Sequence, residues 1–475
     1  LAEVVLEDGI ETIGWDAFRG DTPLAEAVLP DRVKLIDSGA FEHCRNLRSI
    51  RLSQNLTAIN GSAFLCCESL ETIDLPESLV EIKHDAFKGC TSLTGVTLPE
   101  NLSALGNRAF QGCTKLAGVV TIPQKITALG SEVFSGCSSL TGVTLPANLT
   151  EIGKRAFSSC KGITEITLPA GLKTIGESAF ESAGLTEIQI PGTVTTIAKR
   201  AFALCEELSG TVTLPSGLKT VEEGTFSSCK KLSDVQLPEG VTAIGKMAFS
   251  ECIQLGTITL PDSVTEIGDE AFYESRLKQI KFSANLETIG KEVFTDCLFT
   301  ELTLPESVRS ISAGAFLWCK HLKTVHFTGT KEQWDAITGI SALEKAEIIY
   351  YYEKAPTADS VIVTGTYEEH PWELKQNGTF TMAGTGAMKN GTFRNVETDP
   401  GVNWYPVRDQ IKTVVLQEGI TSVGDCAFLG CRNLKAVELP ASVTSIGQHS
   451  FRNCSSLQSI TLPEGVTSIG RVAFD

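Results

Sequence analysis

Apolar residues return along this chain in one fixed phrase. It reads L-x-x-I/V-x-L-P and then x-x-V/L-x-x-I-G-x-x-A-F-x-x-C, as in TITLPDSVTEIGDEAF from Thr257 to Phe272. With the Phe as marker, fourteen copies run from Phe18 to Phe316, and three more end at Phe428, Phe451 and Phe474. Within each block the step between markers is 22 to 24 residues, mostly 23. Self-similarity at that period signals stacked units, none of which can bury its apolar face alone.

The phrase predicts its own local structure. LTEIQIP (Leu185–Pro191) is short, β-branched and ended by a proline with no N–H to give, so it reads as a strand. Leu185, Ile188 and Ile190 face inward; Thr186, Glu187 and Gln189 face outward. A second extended piece of the VTEIG type follows, and one short helical turn then carries the A-F pair. The glycine of that piece suits a tight bend. Its equivalents are Asp37, Asn60, Lys83, Ala198, Glu222 and Ser312 in other copies, so the bend cannot demand a positive φ. Stacking turns the inward positions into ladders. Phe87, Phe110, Phe134, Phe157 and Phe180 form one, and Cys90, Cys113, Cys137 and Cys160 another. The expected fold is a repeat solenoid, mainly β with short helical turns. Its first array gives a parallel sheet about 65 Å long, at roughly 4.8 Å per strand.

These residues resemble a known family. LPDSVTEIGDEAF and LPASVTSIGQHSFRNCSSLQSITLP (Leu439–Pro463) are similar to the BspA-type leucine-rich repeat of bacterial cell-surface proteins. FTGTKEQWDAI (Phe327–Ile337) resembles the phrase that closes such arrays, and WELKQNGTFTMAGTGAM (Trp372–Met388) the hairpin that opens the next. The resemblance implies a curved solenoid displayed outside the cell, with adhesion or protein binding as its role and no catalytic residues. The regular Cys position departs from many relatives, which carry other small residues there.

Three segments follow from the period. Residues 1–326 form leucine-rich repeat array I, and residues 411–475 form array II, which stops after VAFD and reads as cut short. Leu1–Ile10 aligns with Ile411–Ile420, so the chain opens at the point where the second array also opens. Residues 327–410 are a small β-rich insert that caps the first array and starts the second. Within it TKEQWDAITG predicts a short helix from Thr330, with a strand over Ala346–Glu353 and a linker over EKAPTADS. VIVTGTY, PWELKQ and TFTMAG predict strands, with a hairpin turn at Asn377–Gly378.

Charge narrows the partners. With 57 acidic against 40 basic residues the formal charge is −17, which disfavours nucleic acid and anionic membrane. No apolar run approaches the roughly 20 residues that span a bilayer, so membrane insertion is not expected. No secretory leader is visible, and an extracellular or cell-surface location follows from the resemblance alone.

Candidate chemistry is sparse. Thirteen of the 15 cysteines sit three residues after a repeat Phe, which reads as a small buried hydrophobe rather than a disulfide ladder or a metal set. The six histidines fall at unrelated positions, and no Ser/His/Asp or Cys/His set assembles by spacing. GTGAM (Gly384–Met388) lacks the spacing of a phosphate cradle. No catalytic, cofactor-binding or metal-ligating residue is assigned, and no cofactor is expected.

What remains is the outward row of the strands. Thr97, Thr121, Thr144, Thr167, Thr213 and Thr259 are equivalent, interrupted by Gln189 and Gln236, with Glu165 and Glu187 beside them. These ten are the candidate contacts for a protein or glycoprotein partner on the concave side, the usual binding face of solenoids. Trp334, Trp372, Trp404 and Tyr405 lie in the insert and read as anchors of a cap. Non-enzymatic surface recognition by a monomer is the expected function. A structural spacer with no ligand of its own is the alternative, and a hydrolase site in residues 327–410 the weakest reading.

Overall fold

The computed structural model describes residues 3–343, 345–352, 359–391, 402 and 404–474. The chain divides into two compact units, residues 1–353 and 354–475. The stretch expected as one insert is therefore shared between the two units. The EKAPTADS linker lies mostly outside the described residues.

The first unit is a stack of coils. The VTEIG-type pieces form two-residue strands that pair in parallel, in runs of five, four and five. Their apolar residues stand in register, Ile13 beside Ile36, Ile36 beside Ile59, and Ile59 beside Ile82. The L-x-x-I-x-L-P pieces pair less regularly. Gly118–Thr121 joins Leu140–Thr144, and Gly210–Thr213 joins Leu232–Gln236, while Leu185–Pro191 takes no strand pairing. The expected unbroken long sheet is thus divided. Stacked Phe rings stand 5.1 to 6.0 Å apart, further than the 4.7–4.9 Å of a ladder. Coils so spaced cannot keep ladder distance on every face at once, and the bonds given up are on this one.

The turn around each Phe is not helical. Three successive tight turns close it, as in Ala156 N–H to Gly153 O, Ser158 N–H to Arg155 O and Cys160 N–H to Phe157 O. Arg155 (φ 52°) and Ser159 (φ 60°) flank Phe157 in the left-handed region, which a right-handed helix excludes. The alternation turns every second N–H toward the next coil. Phe87 N–H reaches Ala109 O and Phe157 N–H reaches Ala179 O, each at 2.8 Å. The turns are therefore a third hydrogen-bonded ladder.

The glycine of the VTEIG piece has a different task from bending. A Cβ on Gly176 would lie 2.7 Å from the Gly153 carbonyl carbon, and one on Gly153 would lie 2.5 Å from Leu129 O. At these positions glycine permits coils to approach closely.

The core holds the expected ladders. Phe87, Phe110, Phe134, Phe157 and Phe180 are fully buried, as are Cys90, Cys113, Cys137 and Cys160. The unit closes with Thr324–Thr330, a helix at Lys331–Asp335 and the strand Glu347–Tyr352. Thr330 and Gln333 form a capping box at the helix start. Trp334 is buried edge-on to Phe327 and Tyr350.

The second unit begins with Val361–Tyr367, His370–Lys375 and Thr379–Met382, antiparallel in sequence order. Gly378 (φ 85°) makes the hairpin turn, and Asn377 Oδ1 accepts from Thr379 N–H at 2.8 Å. Thr379–Met382 then pairs in parallel with Thr413–Leu416, the first long strand of the next coils. Trp372 and Trp404 are buried within this unit, and Tyr405 is half-buried.

Candidate functional site

Each coil offers two outward positions between the buried residues of L-x-x-I-x-L-P. All ten candidates occupy them and are exposed: Thr97, Thr121, Thr144, Glu165, Thr167, Glu187, Gln189, Thr213, Gln236 and Thr259. Where the strands pair, the register places them side by side. Thr144 pairs with Thr121, Thr213 with Gln236, and Thr259 with Lys281. The row then continues through Thr303 to His326.

The side chains of this row are largely unspent. Thr213 Oγ1 donates to Gln236 Oε1 at 3.1 Å. Among the described residues the other eight have no side-chain hydrogen bond. Threonines three residues before the Thr97, Thr144 and Gln189 positions behave differently. Thr94 Oγ1 donates to Glu71 O (3.1 Å), Thr141 Oγ1 to Gly118 O (2.9 Å) and Thr186 Oγ1 to Thr164 O (3.1 Å), each in the preceding coil. The fold consumes those hydroxyls and leaves the outward row free.

The sequence reading missed what lies beside the threonines. Val119 is 64% exposed, with Gly95 and Gly142 at the equivalent positions of the flanking coils. A Cβ on Gly95 would meet nothing within 4 Å, so the space beside Val119 is open on that side. Across these coils the outward positions Gly95, Thr97, Val119, Thr121, Gly142 and Thr144 carry no charge. The signal was an apolar residue at a polar position of the repeat.

The cysteines are packed and protonated. Burial pushes the thiols of Cys205 and Cys252 up to about 12, and that of Cys44 up to about 11. A thiol held there supplies little thiolate nucleophile at neutral pH. Histidines meet carboxylates singly: His84 Nδ1 is 3.3 Å from Asp85 Oδ2, and His43 Nε2 is 3.4 Å from Glu42 Oε1. Among the described residues no group of three or more His, Cys, Asp or Glu side chains is arranged to hold a metal ion. In the same residues no helix is long and apolar enough to cross a membrane.

An ion pair that spacing did not reveal joins two turns. Arg108 gives Nε and Nη2 to the two oxygens of Asp85, each at 2.8 Å, across adjacent coils. The guanidinium holds the Asp85 carboxyl below its usual range. It lies on the turn ladder, away from the outward row.

Comparison with known proteins agrees with this geometry. The BspA type leucine-rich repeat region (6 copies) matches residues 1–117, 118–211, 210–323 and 406–475. A leucine-rich repeat protein from Bacteroides ovatus is 28% identical, with a TM-score of 0.58 over 74% of this chain and 90% of that one. A leucine-rich repeat protein of T. pallidum is 33% identical over 34% of this chain and 78% of its own, with a TM-score of 0.32. A leucine-rich cell surface protein from Faecalibacterium prausnitzii is 24% identical over 70% of this chain and 89% of its own, with a TM-score of 0.36. No curated protein matches the sequence.

Proposed function

The chain belongs to the BspA-type leucine-rich repeat family, and on that footing we propose that it is a non-enzymatic recognition protein of the bacterial cell surface. It binds a protein or glycoprotein through the outward row from Thr97 to Thr259. The observation that carries this reading is the division of labour among its hydroxyls. Thr94, Thr141 and Thr186 are spent on neighbouring coils, whereas Thr97, Thr121, Thr144 and Thr167 present unspent donors and acceptors on one face. A periodic, rigid array of small polar groups around an exposed Val119 suits a broad protein contact.

The experiment is a pull-down of extracellular-matrix proteins by the whole chain, repeated with Thr144→Trp, Thr167→Lys and Glu165→Lys. Saturable capture by the parent chain that the substitutions abolish is the expected result. Capture that ignores them removes the row as the site. A chain that captures nothing saturably favours a spacer that displays another domain.

A further inference from the structure

The stitch between turns has a direction, and in the first unit that direction leaves an open end. In successive coils the N–H of the Phe, and that of the residue two beyond it, point at the following coil. Phe272 N–H meets Val293 O at 3.0 Å, Phe294 N–H meets Ala315 O at 2.8 Å, and Asp296 N–H meets Leu317 O at 3.0 Å. Phe316 and Trp318 hold the same two places in the last turn of the stack. Among the described residues no carbonyl meets either N–H, or that of Gly314. Three donors at alternate residues therefore face away from the stack, the pattern of an unpaired sheet edge. The second unit closes the opposite, carbonyl edge of its own first turn, where Gly391 N–H meets Asp425 O and Trp404 Nε1 meets Ala427 O, each at 2.8 Å.

The side chains at this edge are out of pattern. Trp318 is 62% exposed and Leu317 43% exposed. Earlier coils place Ser228, Glu251, Glu274 and Asp296 at the position of Trp318. Lys320, His321 and Lys323 follow directly and are exposed. No carboxylate falls between Gly314 and Lys323 in sequence, in a chain of net charge −17, while Glu292 and Asp296 of the preceding coil and Glu347 of the following strand lie beside the stretch.

We propose that the edge from Gly314 to Trp318 docks an extended acidic segment of a partner protein. Backbone carbonyls at alternate residues of that segment accept from Gly314, Phe316 and Trp318 N–H, as in strand addition. Its apolar side chains lie on Leu317 and Trp318, and its carboxylates face Lys320 and Lys323, which steers the encounter. This site is separate from the threonine row and stands or falls independently of it.

The test uses the whole chain and a fluorescein-labelled peptide of about ten residues alternating valine and glutamate. Fluorescence anisotropy follows binding, and hydrogen exchange with mass spectrometry follows residues 314–318. Trp318→Asn removes the ring while keeping a residue the chain itself holds at φ 61° in the equivalent place, Asn453. Lys320→Glu with Lys323→Glu reverses the charge. The expected result is saturable binding, slowed exchange at 314–318, and an affinity lower by about tenfold or more in each variant. Absent binding overturns the proposal, as does binding that both variants leave unchanged. Amides of Phe316 and Trp318 already protected in the free chain show that the chain closes its own edge, and overturn it too. Inorganic phosphate that displaces the peptide at equal concentration shows a small-anion site instead, which also overturns it.

Discussion

The Sγ of Cys160 donates a hydrogen bond of 3.0 Å to the carbonyl oxygen of Phe134, one coil back. The same bond recurs from Cys90 to Phe64 at 3.2 Å, Cys113 to Phe87 at 3.2 Å, and Cys137 to Phe110 at 3.1 Å. Phe134 O also accepts Cys137 N–H at 3.0 Å, so both of its lone pairs are engaged. Cysteine is small enough for the buried site and still supplies a donor. Cys160→Ala keeps the packing nearly intact and removes the bond. It is expected to cost about 1 kcal/mol, read as a lower urea midpoint at unchanged slope. An unchanged midpoint means that the thiol acts by volume alone.

Burial of the thiols sets an alkaline limit. The thiols of Cys205 and Cys252 are pushed up to about 12, and that of Cys44 up to about 11, from 9.0. The folded chain therefore holds these protons more tightly than the unfolded chain does. Their contribution is complete below the unfolded value and is lost as pH rises through the folded values. Melting temperature is expected to fall steeply between about pH 9 and about pH 12. Cys66, half-buried and outside the ladder, should be the first thiol to react with a thiol reagent in the folded chain. A melting temperature that is flat to the top of that window, or a ladder thiol reacting ahead of Cys66, contradicts this account.

Phe157 tests the stack itself. It is fully buried, with ring centroids 6.0 Å from Phe134 and 5.5 Å from Phe180. Truncation leaves a cavity between two coils, and Phe157→Ala is expected to cost roughly 3–5 kcal/mol. Each coil touches only its neighbours, so the loss should also split the melting of the first unit into two steps. A single transition at the parent temperature would sink the idea.

Asp85 gives the acid counterpart. Arg108 holds its carboxyl below the usual range, so its stability is present above the unfolded value, about 3.9, and is lost as pH falls through the folded value. Asp85→Asn should lower the melting temperature at neutral pH and flatten its decline in acid. An acid limb identical to that of the parent chain places the titration elsewhere.

How much of this was legible in the sequence depends on which group does the work. Buried side chains declare themselves by period, and Phe157, Cys160, Ile152 and their equivalents were placed from spacing alone. Backbone geometry does not. Arg155, Ser159 and Met247 adopt positive φ although nothing in their side chains favours it, because the turn ladder repays the strain with inter-coil bonds. A helical turn was the natural reading of residues that are not glycine. The ten outward positions are exposed, since alternation about Ile166 and Ile188 fixes the face. Which threonines are spent was not legible, because that depends on a carbonyl one coil away.

Trp404 shows the same limit at the start of the second array. It precedes Phe428 by 24 residues, a step the repeat itself uses, yet no repeat phrase surrounds it. Its ring centroid lies 5.8 Å from Phe428, within the spacing of the Phe ladder, and its Nε1–H donates to Ala427 O at 2.8 Å. In a full coil the carbonyl at that position takes its bond from the backbone N–H of the preceding Phe, as Ala109 O does from Phe87. The indole thus supplies both the ring and the donor of a missing rung, with Trp404 almost fully buried. Trp404→Phe retains an aromatic ring but leaves the Ala427 carbonyl short of a donor. It is expected to destabilise the second unit by about 1–3 kcal/mol and to leave the transition of the first unit unchanged. Hydrogen exchange should then rise over Cys426–Gly430 before it rises elsewhere in that unit. Equal exchange in parent and variant over those residues means that the ring alone closes the array.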